Sequence, residues 1–180
     1  FLECTSKNDP FGYVGTAIQG RKVLLIDEEK SRIIETPSLQ PEDVLCTRTI
    51  VVHPDRSEIL LEETQRGFNY ELYTYLDKEV SRNEVADIIR DHIFSGKAEL
   101  HAYELLPTNR EKAEIGLTAR FKAENIYREY GTNLILPPFP IGIKSYDLPE
   151  ARSTGVWLDY PEYYVDTVVY NIQGKEIHAV

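Results

Sequence analysis

Between residues 114 and 124, apolar and polar side chains alternate without a break. Ile115, Leu117, Ala119, Phe121 and Ala123 fall on one side, and Glu114, Gly116, Thr118, Arg120, Lys122 and Glu124 on the other. A period of two sustained this long marks a strand with one dry and one wet face. Such a strand belongs in a sheet and needs a covering layer over its apolar side. Residues 44–53 and 57–64 also read as strands, punctuated by Pro54-Asp55-Arg56. Alternation recurs over 68–76, where Phe68, Tyr70, Leu72, Thr74 and Leu76 oppose Asn69, Glu71, Tyr73 and Tyr75, and it predicts a third strand. Further strands are expected at 98–106, 133–136, 155–160 and 163–171, with a last hairpin over Gln173-Gly174 into 175–180.

One helix is predicted. Ser81-Arg82-Asn83-Glu84 has the form of a capping box. Val85, Ile88, Ile89, His92 and Ile93 then share a face at helical spacing, and Gly96 supplies a stop. Upstream, 23–26 and 32–35 flank a polar turn and read as a hairpin. Residues 36–43, framed by Pro37 and Pro41, read as a linker. The expected organisation is a tail over 1–42 and a domain over 43–180. The expected fold is mainly β, α+β by content: an antiparallel β-sandwich with one covering helix, preceded by a hairpin tail.

Composition narrows the function. A formal charge of −10, spread along 180 residues, lacks the basic stripe that phosphate backbones require. No nucleic-acid partner is expected. No apolar run reaches the length of a transmembrane segment. Twelve Tyr and six Phe suit half-buried pleated surfaces. Two cysteines without a C-x-x-C spacing point to no metal site, and no cofactor motif follows a strand. Cys4 and Cys46 read as packed thiols, and whether they are bridged is left open by the sequence. Glu58, Glu62 and Glu63 offer carboxylates, but Glu62 and Glu63 face opposite ways on a strand. The chain begins at Phe1 and holds no Met, which reads as a C-terminal piece of a longer protein.

Two stretches carry a resemblance. Leu2-Glu3-Cys4-Thr5 followed by Pro10-Phe11-Gly12 resembles the end of a transglutaminase-like catalytic domain. In the second half, Arg152, Tyr160-Pro161, Asp166 and Gly174 follow the order seen in the β-sandwich domain of unknown function that succeeds such domains in a family of bacterial envelope proteins. Asn171-Ile172-Gln173 departs from that family's Leu-Pro pattern. The resemblance implies that Glu3 is the acid of a Cys-His-acid triad in the parent, orienting an imidazole that lies upstream. It implies export to the periplasm or cell envelope by a signal sequence not in this chain. The expected function is a noncatalytic accessory domain whose partner is the upstream catalytic domain. A homodimer through the N-terminal hairpin is a further possibility. The alternative is a carbohydrate- or peptide-binding sandwich using Tyr73, Tyr75, Tyr160, Tyr163 and Tyr164.

Overall fold

The structure is a computed structural model that describes residues 7–94, 98–107, 111–124, 126–131, 133–136, 155 and 160–172. Strands β1 (Lys22–Leu25) and β2 (Arg32–Glu35) form the expected hairpin. A 3-10 turn, Pro41–Val44, leads into β3 (Leu45–His53), and β4 (Glu58–Arg66) returns antiparallel to it. Helices α1 (Phe68–Glu79) and α2 (Arg82–Phe94) follow. Then come β5 (Glu99–Pro107) and β6 (Glu114–Lys122), a short pair β7 (Arg128–Tyr130) and β8 (Asn133–Ile135), and β9 (Tyr163–Tyr170). Five strands make the principal sheet, in the order β5-β6-β4-β3-β9. The fold is mainly β and α+β by content, as the sequence leads one to expect.

The period-two strand β6 sits inside this sheet with Ile115, Leu117, Ala119 and Phe121 buried. Beside them lie Ile59 and Leu61 of β4 and Ile50 and Val52 of β3. Both helices cover that face. Val85, Ile89 and Ile93 point inward from α2, spaced four residues apart. Ile88, expected on the same stripe, is 39 % exposed because it lies on the flank of that line. The Ser81–Glu84 capping box forms in both directions: Ser81 N donates to Glu84 Oε2 (3.3 Å) and Glu84 N to Ser81 Oγ (3.5 Å).

Residues 68–76 are helical, which corrects the predicted third strand. A strand would put Asn69 and Tyr73 on the face opposite Tyr70, Thr74 and Leu76. Instead all five are buried together, at a spacing only a helix gathers onto one side. Glu71, Leu72, Leu76, Lys78 and Glu79 are also strong helix formers. Gly67 makes the turn from β4 into α1 at φ +59°, and a Cβ there would sit 2.8 Å from Val44 Cγ1. Only glycine fits that junction.

A second difference concerns β9. It runs parallel to β3, the one parallel pairing in the principal sheet among the described residues. A parallel neighbour needs a long crossover, and β9 is reached only after the residues that follow β8.

Candidate functional site

Glu3 and Cys4 lie outside the described residues. What the structure assembles instead is a partly buried polar row, with Glu63 its fully buried member, at the seam between β9 and the rest of the sheet. Arg48 on β3 is in register with Glu63 on β4 and with Asp166 on β9. All three lie on the face that α1 covers, because each stands two or four residues from inward-facing neighbours on its own strand. Arg48 forms a fork with Asp166: Nε donates to Oδ1 and Nη2 to Oδ2, both at 2.6 Å. This two-pronged match is the strong form of a carboxylate–guanidinium pair. Glu63 Oε1 stands 3.9 Å from Arg48 Nε.

Glu63 is only 3 % exposed. Its hydrogen bond comes from a neutral amide, Gln65 Nε2, at 2.6 Å. Burial pushes its carboxyl up to about 7, against the opposing pull of Gln65 and Arg48, while Asp166 adds to the rise. Arg48 is held more basic than usual, first by its hydrogen bonds to Asp166. Around the row the remaining polar groups are shared. Asn69 Nδ2 of α1 donates to Gln65 Oε1 and to Tyr164 Oη, both at 2.9 Å. The Arg48 guanidinium carbon lies 5.4 Å from the centre of the Tyr164 ring. Among the described residues no buried side-chain nitrogen or oxygen lacks a partner.

Cys46 closes one end of this network. It is a free, buried thiol. Its sulfur accepts from Arg66 N at 3.5 Å and from Asn69 Nδ2 at 3.7 Å. Burial raises its pKa, which keeps it a thiol and a poor nucleophile. His53 and His101 stand elsewhere, on β3's far end and on β5. Of the other carboxylates weighed from sequence, Glu62 is exposed on the opposite face of β4, and Glu58 lies 3.5 Å from Arg120 Nε. No group of three His, Cys, Asp or Glu side chains that could hold a metal is found among the described residues. No helix there is long and apolar enough to cross a membrane.

Of the five tyrosines suggested as a binding surface, Tyr160, Tyr163 and Tyr164 line one small cavity beside Phe68, and Tyr73 and Tyr75 stand apart from it. Tyr73 is 2 % exposed and belongs to the core, a consequence of its helical setting. Tyr160 stacks on Phe68 with ring centres 5.4 Å apart. Tyr164 faces the polar row, whereas its neighbour Tyr163 points to the other side of β9. Tyr75 stands exposed on α1.

A second polar cluster ties the N-terminal segment to α1. Glu71 accepts three hydrogen bonds: Tyr13 Oη to Oε1 (2.8 Å), Thr16 N to Oε1 (2.7 Å) and Thr16 Oγ1 to Oε2 (2.8 Å). The Tyr13 ring meets Tyr70 edge-on at 5.7 Å. Further along the helix, Lys78 Nζ donates to Asn8 Oδ1 (3.0 Å), and Lys7 pairs with Glu79 (2.9 Å). The β1–β2 hairpin beyond is anchored at its base, where Thr36 Oγ1 donates to Ile18 O at 2.5 Å. Its apolar side chains remain open: Leu24, Ile26 and Ile33 are 63, 81 and 71 % exposed. Set against family models, curated proteins and solved structures, the chain finds no match in any of the three.

Proposed function

We infer that this chain is a noncatalytic accessory domain, following a transglutaminase-like catalytic domain in an exported bacterial envelope protein. In this reading its partner is that preceding domain. Glu3 serves as the parent's triad acid, and residues 1–42 are the tail shared between the two units. One observation carries the reading. The segment before β3 is clamped along α1 by Glu71, while the hairpin that grows from it offers Leu24, Ile26 and Ile33 to a neighbour. A hairpin of two strands is marginal in water without a third layer, so a partner surface over those residues is the natural complement. The closed, fully bonded row around Glu63 fits a structural role better than turnover.

The test pairs an assay with a binding measurement. The isolated chain should neither incorporate amines into protein nor cleave peptides, and it should bind the separately produced preceding domain. Leu24→Ser with Ile33→Ser should weaken that binding at least tenfold, since each exposed side chain removed forfeits roughly 1–2 kcal/mol of apolar burial. Turnover by the isolated chain that is lost in Cys46→Ala or Cys4→Ala would overturn the reading. In the full-length parent, Glu3→Gln should leave the fold intact and lower turnover; unchanged turnover would remove Glu3 from the triad.

A further inference from the structure

The row Glu63–Arg48–Asp166 has an uneven charge count. Two carboxyl groups face one guanidinium across three adjacent strands. The guanidinium is committed to Asp166 by two bonds of 2.6 Å, and Glu63 sees it only at 3.9 Å. Among the described residues, the other groups around Glu63 are neutral. From its own strand comes the Gln65 amide, and from β3 the Cys46 thiol beyond Arg48. Asn69 and Tyr73 face it from α1, Tyr73 with its phenol pushed further from ionising by burial. Tyr164 faces it from β9 beside Asp166, and the register neighbour on β6 is Leu117. A carboxyl so buried, with a single neutral donor and a preoccupied cation, favours its protonated form well above the ordinary carboxylate range.

Asp166 and Tyr164 are also what β9 contributes to the seam. If β9 lifts away, Asp166, which disfavours the charged form of Glu63, leaves, and so does the cover that β9 gives the seam. Departure of β9 would free Arg48 for Glu63 and admit water to both.

We propose that this row is a proton-operated latch on β9: with Glu63 neutral, Arg48 belongs to Asp166 and holds β9 on the sheet; with Glu63 ionised, two carboxylates compete for one cation and β9 opens. The closed state binds one more proton than the open state in the window between Glu63's ordinary carboxyl pKa and its raised one. Opening is therefore favoured as pH rises through that window. The device is fully closed in mild acid and weakest above neutrality.

The experiment uses the intact chain. Carboxyl-carbon NMR follows Glu63, and amide exchange, normalised for the intrinsic effect of pH, follows β9 against β4 and β6 from pH 5 to 8. The β9 opening constant is expected to rise by up to about tenfold per pH unit until Glu63 has titrated, then level off. The β4 and β6 amides should stay better protected than β9 at every pH, falling only as far as the stability of the whole chain falls. In Glu63→Gln the β9 response should vanish. In Asp166→Asn, where Arg48 turns to Glu63, the Glu63 midpoint should move to lower pH. A β9 opening constant independent of pH in the wild-type chain overturns the proposal, as does an equal response in Glu63→Gln. Should Glu63→Gln fail to fold, the wild-type titrations decide alone: β9 amides whose midpoint differs from that of the Glu63 carboxyl refute the latch.

Discussion

Glu63 shows how much one buried carboxyl can shape a stability curve. Its pKa is about 7 in the folded chain, against 4.5 for an ordinary glutamate. Below the lower value it is protonated folded or unfolded, and pH has no leverage. Between the two values the unfolded chain gives up the proton and the folded chain keeps it, so stability falls as pH rises. Above the higher value the loss is complete. Glu63→Gln mimics the neutral form at every pH. The variant is expected to match the parent near pH 4 and to exceed it by about 3 kcal/mol at pH 8, at roughly 1.4 kcal/mol per pH unit between. Urea melts at both pH values check this, and a gap that does not widen with pH would refute it. Part of this site was legible in the sequence. Strand periodicity sends Glu62 out and Glu63 in, alongside Ile59, Leu61 and Gln65. What could not be read was its company. Arg48 and Asp166 are 118 residues apart, and nothing local announces that their strands pair in parallel.

At the scale of elements, α2 and α1 show why one helix was readable and the other was not. The capping box and the four-residue spacing of Val85, Ile89 and Ile93 belong to no other structure. In 68–76 the aromatic residues satisfy both periods at once. The strand pattern there rests on treating Leu72 and Phe68 as inward, yet Phe68 is exposed and stacks on Tyr160 instead. The inward line of α2 is open to a direct check. Ile89→Ala, at a site with no exposed surface, should cost about 2–5 kcal/mol. Ile88→Ala, one residue away on the flank, should cost under about 1 kcal/mol. Equal losses in a urea melt would show that the helix presents a different face.

For the molecule as a whole, the organisation into a tail and a β-rich body remains a proposal, and the Glu71 clamp is where it can be probed. Glu71→Ala removes the acceptor for Tyr13 and Thr16 at one stroke. The expected cost is about 1–3 kcal/mol. Amide protection should fall in residues 7–16 first and leave β3, β4 and β6 unchanged. Uniform loss of protection through the sheet would mean that the tail is integral to the core. The sequence announced the hairpin and its Pro-framed exit, but not the clamp, because a strand over 68–76 gives Glu71 no helix on which to stand.

The parallel seam of β3 and β9 also sets an order of assembly. β3, β4, α1, α2, β5 and β6 are joined by short connections and can close on one another as they emerge. β9, 118 residues from its partner in sequence, must wait for the chain between Lys122 and Tyr163 to emerge and be closed against Arg48. Until then the rim of β3 carries unsatisfied N–H and C=O groups beside a guanidinium that has only Glu63 to meet, a template for any extended chain nearby. A chain on which β9 has yet to dock would therefore display an open strand edge rather than an unfolded domain, and the hazard it creates is mispairing between neighbouring copies.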